Sequence, residues 1–409
     1  MRAGNAPLQV GLCFAYFFLV MASYYLLKPV REAFFLDSEG VGNFPKIHIL
    51  LVFVTYAAAQ LYDSLGRVYR GGWLAVRTVP IFCLLIVLFW ALLQASTPAT
   101  PSFRVLIWIY YLGVSLYCVF VVAFFWSLTH SVFTPEDGKR HYGIIGLGGI
   151  AGGATGGYLT KFLVPYIGSS NLLLVSAALL LPCFFLGLVL DRKRLPEETR
   201  VAQEAPQNPL TSLSLLVSHR YVGAIAVLIL LVMAFEEFGD HQTQRLLDDF
   251  QLKGDELTGF YGNLYAMTNI LGCLISLALT RLVMTHLGPG PGLMILPVSA
   301  AVKAMAVLCW PNQETLLVTL SIELAIHYSI FQASKELLYT PTRDEIRFRA
   351  KTMIDTFVFR LGAGMAALVV LFVLLDRSQA SISGCILVTA TASLGVSYWL
   401  QKHFRQLTN

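Results

Sequence analysis

The sequence predicts an all-α membrane protein of twelve transmembrane helices in two six-helix bundles. Three observations carry that prediction. The first is composition: of 409 residues, 56% are hydrophobic and only 13% charged, with a mean hydropathy of +0.67. An ordinary soluble domain carries about 25% charged residues. The second is that apolar stretches of about 20 residues recur along the whole chain, each long enough to cross a hydrocarbon core of about 30 Å. The third is an internal echo. "FTPEDGKRHYG" follows the fourth stretch and "YTPTRDEIRFRA" the tenth, placing Thr134-Pro135 and Thr340-Pro341 206 residues apart, about half the chain. Duplication of this kind builds two related halves around a central site.

The spans are centred near residues 20, 52, 84, 118, 153 and 180 in a first half (1–191), and near 229, 267, 299, 324, 365 and 391 in a second (219–409). Between them, residues 192–218 form the only sizeable polar segment, rich in Pro, Glu and Gln, and read as a linker. The first apolar run, Leu8 to Leu27, is longer than the roughly 7–15 apolar residues of a signal peptide, so it is expected to stay uncleaved. The fifth span, "YGIIGLGGIAGGATGGYL", carries two small-residue stripes, Gly149/Gly153/Gly157 and Gly148/Gly152/Gly156. It lacks the preceding strand of a dinucleotide site and the Gly-Lys-Ser/Thr of a phosphate loop, so close helix approach between bundles is the expectation. The seven cysteines sit in apolar runs without C-x-x-C spacing and read as reduced core residues. The eight histidines show no metal spacing, and no nucleophile–base set is present. No enzyme activity, metal or cofactor is expected.

Orientation follows from the loop charges. With the N-terminus in the cytoplasm, eighteen of the 29 Lys and Arg fall on that side, seven on the other and four within spans. Both termini are therefore expected in the cytoplasm of a multi-pass protein of the cell's inner membrane. This topology also accounts for the net charge of +5 without a nucleic-acid partner. The loop after the second span, "YDSLGRVYRGG", is similar to the Asp-x-x-Gly-Arg loop of the major facilitator superfamily, and that fold is the expectation.

Ionisable residues inside spans each cost about 2.5–3.5 kcal/mol on insertion scales, so they line cavities or find partners. In "SYYLLKPVREAFFLD", Lys28 and Arg31 share a face if the helix continues past Pro29; they either line a cavity or snorkel to the interface. Glu236, Glu237 and Asp240 crowd one another in "FEEFGDHQTQR" and are candidates for proton coupling, unless this is a helix end rising into a loop. Lys335 and Glu336 close the tenth span. Asp355 and Arg360, five apart in the eleventh, do not face each other and need partners elsewhere. Lys303 stands alone in "SAAVKAMAVL".

Several of these stretches together resemble the nucleotide transporters of the ATP/ADP translocase type. That family's first helix carries an Arg-x-x-Lys-Asp run, matched by Lys28, Arg31 and Glu32, with Arg at 31 and Glu at 32 departing from it. Its Phe-Trp pair is matched by Phe125-Trp126, and the following basic run by Lys139-Arg140-His141-Tyr142 with Gly146. Its Lys-Glu pair corresponds to Lys335-Glu336 before Pro341. Its Gly-Lys-x-x-x-Asp…Arg-x-Gly block corresponds to Ala350-Lys351, Asp355, Arg360 and Gly362. Spans seven to nine show no match. The resemblance implies transport of a nucleotide or related phosphorylated anion by alternating access, as exchange or proton symport. Lys28, Arg31, Glu32, Lys335, Glu336, Asp355 and Arg360 then serve as substrate contacts.

The physics points the same way. A polyphosphate needs cations in a low-dielectric cavity, and Lys28, Arg31, Lys335 and Arg360 offer them. Tyr24, Tyr25 and Trp126 could stack on a base. The partners expected are a small anion and the bilayer, and the protein is expected to act as a monomer. Two other functions fit the same residues: proton-coupled transport of another organic anion or drug-like compound, and a membrane sensor that binds without moving its ligand.

Overall fold

The computed structural model describes residues 6–68, 71–98, 100–193, 218–342, 350–351 and 353–408, and every regular element among them is helical. In chain order they are α1 (Ala6–Glu39), α2 (Phe44–Val68), α3 (Gly71–Ala95), α4 (Pro101–Val132), α5 (Pro135–Ile167) and α6 (Leu172–Asp191). Then come α7 (Arg220–Asp249), α8 (Gly254–His286), α9 (Pro289–Cys309), α10 (Gln313–Leu338), α11 (Phe359–Leu374, entered through a π-helical turn at Ile354–Val358) and α12 (Gln379–Thr408). Ten of these are long and apolar enough to cross a membrane. The glycine-rich α5 and the shorter α11 complete the twelve, and each predicted span centre falls inside one helix in order. Most of the linker (194–217), residues 343–349 and the side chains of Asp63 and Arg67 lie outside the described residues; the "DSLGR" stretch, expected as a loop, is the end of α2.

α1 runs unbroken through Pro29. A proline there deprives the carbonyl four residues earlier, that of Tyr25, of its helical donor. The Thr160 hydroxyl of α5 takes its place, its one hydrogen shared between Tyr25 O at 3.2 Å and Gly156 O at 2.9 Å. Side chains from neighbouring helices commonly satisfy such freed carbonyls in membranes. The "KPVRE" stretch is therefore helix and not loop. At about 1.5 Å per residue, the 34 residues of α1 reach about 51 Å, well beyond the hydrocarbon thickness. Helix starts obey ordinary capping rules: Thr100 and Thr134 accept from the backbone N–H three residues on, each followed by Pro at the first helical position. Thr340-Pro341, by contrast, lies in the turn that follows α10.

The chain divides into two compact units, Met1–Gly40 with Phe53–Gln203 and Leu252–Ile270, and Val41–Val52 with Glu204–Gln251 and Leu271–Asn409. In the first, α1 is central and packs on α4, α5 and α6, while α3 packs on α4 and α6. Its core includes Tyr16, Val20, Leu26 and Phe35 of α1, Ile107 and Phe125 of α4, and Leu180 of α6. Both glycine stripes pack within this unit. Gly148, Gly152 and Gly156 lie against the backbone carbonyls of Phe14, Phe18 and Ala22 on α1. Gly153 and Gly157 lie against α8, where added Cβ atoms would meet Asn269 Oδ1 at 2.7 Å and Ala266 N at 2.6 Å.

In the second unit, α7 packs on α11 and α12, and α9 on α10 and α12. Val232, Phe235, Leu296, Ala300, Ile354 and Ile386 lie in its core. Large apolar side chains such as Leu84, Phe185, Phe372 and Val388 face outward, as a lipid-facing surface requires. All seven cysteines are unbridged; Cys13, Cys83 and Cys183 are buried as expected, whereas Cys309 is exposed at the end of α9.

Candidate functional site

Two clusters of ionisable residues form, one in each unit. In the first, Arg31 and Glu32 are each only 8% exposed and pair with each other. Arg31 Nη1 donates to Ser115 Oγ at 2.7 Å, and its guanidinium lies 4.4 Å from the Tyr111 ring centroid. The Tyr111 hydroxyl reaches Glu32 Oε2 at 3.4 Å. Arg31 Nε is buried without a hydrogen-bond partner among the described residues.

Lys28 points elsewhere. Its ammonium lies 4.0 Å from the Tyr265 ring of α8 and 5.8 Å from Tyr25. Tyr24, Tyr25, Tyr261 and Tyr265 continue as an aromatic group, with centroids 5.3–6.2 Å apart between successive rings. The i, i+3 spacing thus sends the two cations to different neighbours, Arg31 to α4 and Lys28 to α8. Together they offer two cations, one of them already paired with Glu32, a hydroxyl and several ring faces, chemistry that suits an anionic ligand with a flat ring. Trp126 is apart from this group. It lies eleven residues beyond Ser115 on α4, about 16 Å along the axis, and packs with Phe17 and Tyr142 at 5.8 and 5.6 Å.

In the second unit, Glu236 pairs with His327 Nδ1 on α10, and Glu237 with His48 Nδ1 at 2.7 Å. Asp240 is exposed. Lys303 is not alone: it meets Glu323 at 2.6 Å, both side chains at most 4% exposed. Gly239 makes room for this pair, since an added Cβ would fall 2.5 Å from Lys303 Nζ. Lys335 Nζ donates to Asp355 Oδ1 at 2.8 Å, and Lys351 Nζ to Glu336 Oε2 at 2.6 Å. Arg360 stands five residues beyond Asp355 on α11, partly buried. Asp355 lies in the π-helical turn Ile354–Val358 and His327 opens another, His327–Phe331. Such turns shift the facing of the side chains that follow and are frequent at functional sites.

Sequence reading missed Tyr265, Ser115, His48, Glu323 and His327. Glu323 was detectable as a carboxylate mid-way along an apolar span, the same signal that marked Lys303. Tyr265 and Ser115 carry no such signal, because membrane helices are full of tyrosine and serine that merely pack.

Residues 127–334, half of the chain, match the sequence profile of the Major Facilitator Superfamily. No curated protein matches the chain. Among solved structures, a variant of the nucleoside transporter NupG aligns with a TM-score of 0.65 at 14% identity, over 99% of this chain and 100% of that one. A bacterial homologue of the iron transporter ferroportin in an inward-facing state aligns at 0.63 and 14%, over 99% and 100%. A POT family transporter in complex with 5-aminolevulinic acid aligns at 0.63 and 10%, over 98% and 96%. At these identities the likeness is one of fold. Profile, helix order and fold agree: this chain belongs to the Major Facilitator Superfamily and is a membrane transporter, not an enzyme.

Proposed function

We propose that the transporter carries a nucleotide, or a related phosphorylated anion, by alternating access. The observation that carries this reading is the first cluster. Arg31 is buried in an apolar bundle with its Nε unpartnered, beside Lys28 and the tyrosine rings. A buried guanidinium with an open donor suits a phosphate oxygen, which can take two of its N–H groups at once. The rings suit a nucleobase. The motifs shared with ATP/ADP translocase-type transporters support the same substrate class, with Lys335, Glu336, Asp355 and Arg360 as the second contributing set. In this reading the protein acts as a monomer in the cell's inner membrane, with cytoplasmic termini. Halves 1–191 and 219–409 alternate about the linker 192–218.

A second reading, proton-coupled transport of another organic anion or a drug-like compound, is favoured by the Glu236–His327 and Glu237–His48 pairs. Uptake of labelled ATP, ADP, AMP, NAD and an unrelated organic anion into proteoliposomes separates the two. Saturable flux of at least one nucleotide, competed by the others, is expected. Flux of the unrelated anion alone would overturn the nucleotide reading, and binding without flux would indicate a sensor.

A further inference from the structure

We infer that His327 is the proton-carrying residue of this transporter, at the centre of a partly buried acid–base cluster formed with Glu236, Lys303 and Glu323. The inference rests on the transporter reading but not on the identity of the substrate.

Position is the first argument. Glu236 is the seventeenth of 30 residues in α7, while Glu323 and His327 are the eleventh and fifteenth of 26 in α10. All three are far from the helix ends, where charged groups reach water by snorkelling. They also sit one helical turn apart or face to face, so their charges act on each other directly.

Charge balance is the second. Lys303 and Glu323 cancel at 2.6 Å. Glu236 then faces an imidazole that is neutral until it binds a proton. An uncompensated carboxylate in an apolar interior is costly, and one proton on His327 removes the deficit. The other charges packed nearby are Glu237, hydrogen-bonded to His48, Lys335, paired with Asp355, and Asp240, which is exposed on α7 but close enough to act on Glu236, Glu237 and Lys303.

Tautomer is the third. A carboxylate only accepts, so His327 Nδ1 carries the hydrogen shared with Glu236 and Nε2 holds the basic lone pair. The step is simple: water on one side gives a proton to Nε2, imidazole becomes imidazolium, and Nε2 returns the proton to water on the other side. A metal ion fits less well than a proton. Among the described residues no group of three or more His, Cys, Asp or Glu is arranged to hold one.

The test uses the full chain in lipid nanodiscs, without substrate. Histidines labelled with nitrogen-15 are titrated by NMR between pH 5 and 9, and the His327 signal is identified by its loss in His327→Gln. It is expected to pass from neutral to doubly protonated in this range, and its midpoint to fall by at least one pH unit in Glu236→Gln. A signal that stays neutral throughout, or a midpoint unmoved in Glu236→Gln, overturns the assignment. In proteoliposomes with ATP as the probe, His327→Gln is expected to lose accumulation driven by an inward proton gradient while keeping ATP/ADP counterflow. Gradient-driven accumulation at the unsubstituted level would also overturn it. If the unsubstituted protein moves no ATP, the nucleotide reading fails and the titration still decides the proton site.

Discussion

The Lys28 ammonium lies 4.0 Å from the centroid of the Tyr265 ring, joining a cation on α1 to a residue on α8 more than 230 positions later. A ring face attracts a cation through its quadrupole, and Tyr265 therefore sets where the Lys28 charge is held. The contact brings the unmatched eighth span into the candidate site.

If that ring positions Lys28 for an anion, Tyr265→Phe should bind ATP as the unsubstituted protein does. Tyr265→Leu removes a contact of about 0.5–2 kcal/mol, equivalent to about 2- to 30-fold in affinity. Competition binding with labelled ATP checks this. An equal loss in the Phe variant would move the role from the ring to the hydroxyl.

Arg31 is expected to read phosphate. Removing it alone strands Glu32, so the comparison is made in a Glu32→Gln background. There, Arg31→Gln should weaken ATP by about 10- to 150-fold, from the loss of about 1.5–3 kcal/mol in hydrogen bonding to a charged group, and AMP by less. Affinities for the mono-, di- and triphosphate of adenosine decide it. Equal weakening of all three would show that Arg31 does not read phosphate.

The Lys303–Glu323 pair is almost fully enclosed. Breaking one member leaves a lone buried charge, so Lys303→Met should destabilise by about 3–5 kcal/mol, while Lys303→Met with Glu323→Leu should recover most of that loss. Thermal unfolding in detergent measures both. A double variant as unstable as the single would argue that the pair shapes local packing and not only charge balance.

The glycines of α5 should respond unequally. At Gly152 an added methyl group collides with the Phe18 carbonyl of α1, whereas at Gly146 it meets nothing within 4 Å. Gly152→Ala is expected to cost about 1–3 kcal/mol, and Gly146→Ala to gain about 0.5–1 kcal/mol through its better helix propensity. Gly153→Leu should impair transport while the protein still inserts. Melting temperatures and uptake for the three variants provide the check, and equal behaviour at 146 and 152 would remove the close-approach argument.

The number, order and span of the helices were legible in the sequence because each depends on a local property, a run of about 20 apolar residues. The in-span charges were legible for the same reason, since an ionisable residue in such a run is conspicuous. Even the continuity of α1 past Pro29 was an open but well-posed question. The structure answers it through Thr160, which supplies the donor that Pro29 takes away.

Partnership was not legible. By itself the sequence determined which residues are charged and how deep in each helix they lie. Only the tertiary structure decided that Lys303 meets Glu323, that Glu236 meets His327, that Lys335 meets Asp355, and that Lys28 and Arg31 part company despite their spacing. The reason is physical. A helix turns about 100° per residue, so one π-helical turn or a small rotation in packing moves a side chain from one neighbour to the next. Those rotations are set by how glycines, rings and apolar side chains interlock across helices, and that is a property of the assembled bundle rather than of any segment within it.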